Sequence, residues 1–284
     1  MIHHRLHVLE ATDWKDGVIT LLAPGSPYRP WRYAFGEARP GDYAMLVLGT
    51  DPVSVLTVLA RVGDEGRLGG ALLDADRYRL DVVDLSTLTM MLNLRDNAFT
   101  SWRLDDDDAE AVILAIHESR LHGDPYDRCG HSSLVAARNL LRFHGSCHGC
   151  GSTIDLAAAD ARDHVHVHTV APYRRPDPHS PIRLGEQDDP RAASQVQSLR
   201  SVATDWPAVI CRRCRDRMRD GGYTSFVEFL FAEHPQCPRC GGRRTQSIAY
   251  GMPVDPQSWG PWISMGGCCV MEGQWHCSLC EHAW

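Results

Sequence analysis

Eight of the cysteines in this 284-residue chain stand in four C-x-x-C pairs: Cys147/Cys150, Cys211/Cys214, Cys237/Cys240 and Cys277/Cys280. Two thiolates separated by two residues sit on a tight knuckle and take two corners of a tetrahedron around zinc. Four pairs therefore predict two structural Zn2+ ions, each held by four cysteines. Disulfides are the other common use of so many cysteines, but they belong mainly to small secreted chains. This chain is neither small nor, in Met1-Ile-His-His-Arg-Leu-His, provided with the apolar core of a secretory signal. A cytoplasmic location is expected. No apolar run approaches the ~20 residues of a membrane span, so no membrane partner is expected either. Spacing leaves the pairing of knuckles open. Neighbouring modules would join Cys147/Cys150 to Cys211/Cys214 and Cys237/Cys240 to Cys277/Cys280. Alternatively Cys211/Cys214 joins Cys237/Cys240, leaving Cys147/Cys150 with Cys277/Cys280. Cys129, Cys268 and Cys269 stand outside the pairs and are expected to be buried small residues.

The rest of the composition separates two kinds of sequence. Eight Trp and eight Tyr with a normal aliphatic content can bury a core, which excludes a disordered chain. Net charge is −7, so a generally basic nucleic-acid coat is excluded while local patches are not. Acidic residues outnumber basic ones up to Gly145, and the remainder is near neutral with clustered arginines. Lys15 is the only lysine. The expected fold class is α+β and multidomain, with modules over 1–128, 129–235 and 236–284.

In the first module, 43–49 (YAMLVLG) and 54–62 (SVLTVLARV) read as buried strands, and 78–85 (YRLDVVDL) as a half-exposed one. Pro40-Gly41-Asp42 is a turn signal before the first of them. Ala109, Val112, Ile113 and Ile116 recur at helical spacing behind the acidic run Asp105 to Asp108, which suits a helix N-terminus. A second helix is expected after Ser132 or Ser133, through Leu134, Ala137 and Leu141. Residues 30–63 (PWRYAFGEARPGDYAMLVLGTDPVSVLTVLARVG) resemble the PUA-like group and, within it, EVE-type domains. The resemblance implies a β-barrel with helices that holds a flipped, modified base between aromatic rings. Such rings replace the stacking that the base has lost. Trp14, Trp31 and Trp102 are the candidates for that pocket, with Tyr33 and Phe35 the other aromatics of the region.

In the second module, Cys147-His-Gly-Cys150-Gly151 is a zinc-knuckle sequence, and 209–222 (VICRRCRDRMRDGG) places another C-x-x-C at the start of a helix. Between them, 161–176 (ARDHVHVHTVAPYRRP) puts His164, His166 and His168 on one face at strand period. This arrangement resembles HNH endonucleases of the ββα-metal type, whose pattern is C-x-x-C, an Asp-His pair on a strand, then C-x-x-C-His on a helix. The resemblance implies His164 as the general base that activates water. It implies Asp163 as a ligand of a catalytic Mg2+ or Mn2+ that neutralises the scissile phosphate. The sequence departs from the family at Arg215, which stands where the last histidine is expected. The asparagine expected before Cys211 is also absent, its neighbourhood being held by Asp205 and Trp206. Asp205, Asp216, His166 or His168 would have to supply the missing ligand. Arg212, Arg213, Arg215, Arg217 and Arg219 crowd the same helix, where guanidinium groups can fork onto phosphates.

In the third module, 237–253 (CPRCGGRRTQSIAYGMP) and 266–284 (GGCCVMEGQWHCSLCEHAW) are similar to the two halves of a zinc ribbon. β-Hairpins are expected between the knuckles, with Trp275 and Trp284 over a small core. Three functions compete. The first is a modification-dependent DNA endonuclease that hydrolyses phosphodiester bonds, with DNA and a second copy of the chain as partners. The second is a catalytically inactive zinc scaffold that binds nucleic acid or protein. The third is a hydrolase that uses His164, His166 and His168 at a separate metal.

Overall fold

The computed structural model describes residues 5–23, 31–32, 39–62, 80–94, 104, 106–117, 128–171, 205–251, 260–270 and 272–284. The chain divides into two compact units, 1–169 with 209–212 and 170–208 with 213–284. Along the chain run β1 (Leu6–Ala11), α1 (Trp14–Leu22), β2 (Trp31–Arg32), β3 (Tyr43–Leu48), β4 (Ser54–Arg61), β5 (Val82–Asp84), α2 (Leu85–Leu92), α3 (Asp106–His117) and α4 (Ser133–Leu141). They are followed by α5 (Ala161–His164), β6 (Val165–His168), β7 (Ala208–Cys211), α6 (Arg212–Asp220), α7 (Phe226–Glu233), β8 (Thr245–Ala249), β9 (Ile263–Met265) and β10 (Trp275–Cys277). The protein is thus a mixed α+β chain with small sheets. Among the described residues no helix is long and apolar enough to cross a membrane.

The first unit is organised by β3, whose six residues are all buried. Tyr43, Met45 and Val47 alternate onto one face, where they cluster with Leu6 and Val8 of β1 and with Ala109, Val112 and Ala115 of α3. Ala44, Leu46 and Leu48 point to the other face and are just as inaccessible. A strand covered on both faces reads as a continuous apolar run, which is why YAMLVL shows no alternation. β3 pairs parallel with β1 and antiparallel with β4, and the sheet order is β2-β1-β3-β4-β5. Among the described strands this sheet is open, with β2 and β5 at its edges, and no closed barrel is seen. The segment expected as a strand over 78–85 contributes only β5; residues 78–79 lie outside the described residues.

Polar groups fix the register of these layers. The Pro40-Gly41-Asp42 turn puts the Asp42 carboxylate, which is buried, 3.0 Å from His7 Nε2 on β1 and 2.9 Å from the Arg39 N–H. Burial alone would raise the Asp42 pKa, but the Arg39 and His7 hydrogen bonds outweigh it and hold the carboxyl below its usual range. Helix N-termini carry their caps: Asp13 accepts from the Lys15 and Asp16 N–H groups, and Ser132 from Val135 N–H. Arg138 of α4 is 4% exposed in its side chain; its Nε donates to Asp81 at 2.9 Å and its Nη2 to the Val82 carbonyl at 2.7 Å. α4 is therefore tied to β5 and to the residue just before it by one buried guanidinium.

In the second unit Asp205 is buried, and its Oδ1 accepts from the N–H of Trp206 at 2.9 Å and of Phe226 at 2.8 Å. Phe226 and Phe229 form the centre of its core, with the Trp262 ring edge-on to Phe226 at 5.3 Å and to Trp206 at 6.3 Å. The sheet order is β10-β8-β9, with β10 antiparallel to β8 but β9 parallel to it. β8 and β9 are thus parallel where a hairpin was expected, and residues 252–259 between them lie outside the described residues. His234, just past α7, donates from Nδ1 to the Thr245 carbonyl of β8 at 2.6 Å and meets the Trp275 ring at 4.8 Å. Trp275 is half-buried, and Trp284 stacks on His282 at 5.8 Å.

Replacing Arg138 by Ala removes its bonds to Asp81 and to the Val82 carbonyl while Arg142 stays 3.6 Å from Asp81, and the expected loss is about 2 kcal/mol of stability, read from the urea midpoint. Arg142→Ala removes a partly exposed partner 3.6 Å from Asp81 and is expected to cost below about 1 kcal/mol in the same measurement.

Candidate metal centres

The cysteines gather into two quartets. The Sγ atoms of Cys147, Cys150, Cys211 and Cys214 lie within 4.8 Å of one another, and so do those of Cys237, Cys240, Cys277 and Cys280. Specific separations are 3.8 Å for Cys150–Cys211, 3.6 Å for Cys237–Cys280 and 3.7 Å for Cys240–Cys277. A disulfide would need about 2.05 Å. A tetrahedron with Zn–S bonds of about 2.3 Å has edges of about 3.8 Å, which these separations match. The four-thiolate donor set also suits zinc. Both quartets can therefore hold a structural zinc ion, and knuckles pair with their neighbours in the chain, not in the crossed alternative.

Three of the four knuckles are built alike. In each, the first cysteine's N–H bonds the carbonyl five residues on: Cys147 to Ser152, Cys237 to Gly242, and Cys277 to His282, at 2.8, 2.9 and 2.8 Å. In each, the residue four on returns its N–H to that cysteine's carbonyl: Gly151, Gly241 and Glu281, all at 2.8 Å. This closed turn forces the returning residue to positive φ, +71° at Gly151, +68° at Gly241 and +57° at Glu281. Glycine meets that demand without strain, and glutamate does not. The fourth pair differs because Cys211 ends β7 and Cys214 lies in the first turn of α6. Thiolates there face the positive end of the helix. Cys211 N–H also points at Cys147 Sγ, at 3.2 Å.

His148, inside the first knuckle, is a residue that the cysteine pattern does not reveal. Its N–H donates to the Val209 carbonyl at 3.0 Å, and its Nδ1 accepts from Val209 N–H at 3.1 Å. Burial pushes this imidazole down to about 4, in keeping with an unprotonated Nδ1. The knuckle is thereby fastened to β7. In the second quartet burial favours the neutral Cys237 thiol, yet N–H groups of Cys240 and Arg239 and the Cys280 thiol draw it down to about 7. At Cys280 the His282 N–H favours the thiolate, but burial and the other thiols prevail and push it up to about 12. Ion binding requires all four as thiolates, so metal uptake releases protons and acid opposes it.

The Asp163-His164 pair is placed differently from a strand. It ends the helical turn α5, and β6 begins at Val165. Arg162 anchors that turn to α1, with Nη2 2.7 Å from Asp13 and Nη1 2.6 Å from Asp16, while Lys15 Nζ donates to the Arg162 carbonyl at 2.6 Å. The helical spacing brings Asp160, four residues back, to 2.9 Å from His164 Nε2. A carboxylate only accepts, so Nε2 is the donor of this bond. The imidazole is 45% exposed. His166 and His168 share a face of β6, and His166 Nε2 lies 3.0 Å from the Asp163 carbonyl. Among the described residues, the groups of three or more ligand side chains close enough to share an ion are the two cysteine quartets.

The remaining candidates are also located. Asp205 caps Phe226 in the second unit, and Asp216 accepts from Arg215 Nη2 at 2.8 Å. Arg219 reaches Asp220 at 3.1 Å, and Arg217 pairs with Glu233. Arg212 and Arg213 are exposed on α6, whose buried positions are Cys214 and Met218. Trp14 is half-buried at the start of α1, Trp31 lies in β2, and Trp102, Tyr33 and Phe35 lie outside the described residues. Cys268 and Cys269 correct an expectation: both are exposed, because they follow β9 at a bend instead of entering a core. Comparison with family models, with curated proteins and with solved structures finds no match to the chain.

Metal analysis of the purified chain is expected to give two zinc ions. The double variant Cys147→Ser/Cys211→Ser retains one, whereas Cys147→Ser/Cys237→Ser retains none; crossed pairing predicts none for the first of these. Glu281→Gly relieves the positive φ and is expected to raise stability by about 1 kcal/mol, measured by denaturation of the zinc-loaded chain.

Proposed function

We propose that this chain is a zinc-scaffolded nucleic-acid-binding protein whose contact surface is the arginine-bearing helix α6. The observation that carries the reading is the exposure of Arg212 and Arg213 beside Cys211 and Cys214. Two adjacent cations at the positive end of a helix repel the dipole, and a four-thiolate zinc site of net charge −2 offsets that cost. Both guanidinium groups then remain available to fork onto phosphate oxygens. Arg215, Arg217 and Arg219 engage carboxylates at the surface, where such pairs are worth little and yield to a phosphate.

A second reading makes the protein an endonuclease, in line with the resemblance to HNH enzymes, and the Asp160–His164 hydrogen bond favours it. An imidazole whose Nε2–H is held by a carboxylate presents Nδ1 as a base toward water, the division of labour that phosphodiester hydrolysis uses. Asp163 beside it would be a ligand for Mg2+ or Mn2+, and a bound divalent ion would supply charge neutralisation at the phosphate. Arg215 cannot replace the missing ligand, since a guanidinium offers no lone pair for a metal. A PUA-like reader of modified bases in the first unit, with Trp14, Trp31 and Trp102 as its aromatic candidates, completes the modification-dependent form of this reading. A closed barrel over residues 1–128, an HNH module over 129–235 and a ribbon over 236–284 belong to the same proposal.

Binding of duplex DNA, with and without modified bases, is measured across a salt series. The Arg212→Ala/Arg213→Ala variant is expected to weaken binding about tenfold and to lower the salt slope by roughly two. Absence of salt-sensitive binding to DNA or RNA would overturn the proposal. With Mg2+ or Mn2+ present, cleavage that falls by roughly 100-fold in His164→Ala supports the second reading, and no cleavage by the zinc-loaded chain rejects it.

A further inference from the structure

Cys268 and Cys269 are exposed thiols that belong to neither quartet. In an extended strand neighbouring side chains leave on opposite faces. Here the chain bends at these two residues, after Gly266 and a Gly267 at φ +79°, so the strict alternation of a strand does not hold the two thiols on opposite faces. Nor is the pair a spare set of ligands for the ribbon's own quartet. Cys277 of that quartet pairs with Thr245 at the start of β8, whereas Met265 pairs with Ala249 at its end and Gly266 N–H bonds the Ala249 carbonyl. The two ends of β8 are on the order of 13 Å apart.

Two thiolates are half of the shell that a soft tetrahedral cation takes. Among the described residues no third His, Cys, Asp or Glu ligand joins them. Two more soft donors complete such a shell, and a second copy of the chain presents the same pair across a two-fold axis, the geometry of an isologous contact. Val270, 79% exposed, and Met265, 53% exposed, flank the thiols and give that contact apolar area to bury. Each copy carries a net charge of −7, and four thiolates around one divalent ion leave a further −2 at the contact, so the thiolate–metal bonds have to outweigh charge repulsion between the copies. We propose that Cys268 and Cys269 are a half-site for a zinc-class ion, and that two copies of the chain share one ion through it.

The zinc-loaded full chain, kept reduced, is titrated with zinc, and separately with cadmium, while mass is followed by sedimentation and thiols are counted with a colorimetric reagent. The expected result is a doubling of mass, half an equivalent of ion per chain beyond the two structural ones, and loss of two reactive thiols per chain. Cadmium is expected to add a thiolate charge-transfer band at the same stoichiometry. The Cys268→Ser/Cys269→Ser variant, which alters exposed positions only, is expected to keep its two zinc ions and remain a monomer under the same titration. A wild-type chain that stays monomeric with both thiols reactive overturns the proposal. So does uptake of one full extra ion per chain without a change in mass, or dimerisation that persists in the double variant.

Discussion

Tetrahedral thiolate geometry is the constraint on which the second half of the chain depends. It brings Cys147 and Cys211 together across 64 residues of sequence, and the two bonds between His148 and Val209 hold the same segments side by side. Four sulfur atoms at tetrahedral-edge separations fix two chain segments against each other. The closed turns around Cys147, Cys237 and Cys277 then orient N–H groups inward and limit which residue can follow the second cysteine. That limit explains why glycine follows two of the knuckles, and why Glu281 stands out at the third.

The first unit rests on different physics. β3 is buried on both faces, and its layers are held in register by polar groups with little or no access to water: Asp42 with His7, and Arg138 with the partly buried Asp81. Unpaired, such groups are costly to bury, so each pair ties one layer to one partner more firmly than apolar packing alone does. The same rule governs Asp205, which satisfies two N–H groups at the entrance to α7 in the second unit.

These contrasts explain what could be read from the sequence. The cysteine spacing, the apolar runs of β3 and β4, the 3.6-residue period of α3 and the Ser132 cap of α4 are local signals, and each is found where it was expected. β1 and α1 were not foreseen, since LHVLEA carries a histidine and a glutamate whose accommodation depends on residues far along the chain. His7 is buried only because Asp42, 35 residues later, receives it. Arg138 reads as a surface charge until Asp81 is known to lie against it. The H-x-H-x-H alternation suggested a strand that included His164, whereas Asp160 and Ala161 begin a helical turn and leave the strand to start one residue later. Asp160 would have been found by looking four residues back, a helical distance that a strand reading ignores. Cys268 and Cys269 were assigned to a core by residue type, and the bend after β9 places them in solvent instead.

Arg162 and Lys15 hold α5 to α1 across 147 residues of sequence. The bonds of Arg162 to Asp13 and Asp16 add two more points of attachment, so the turn that carries His164 travels with the first helix as one mechanical part. In consequence, the histidine's position is inherited from the opening twenty residues of the chain, not from the segment in which it is written.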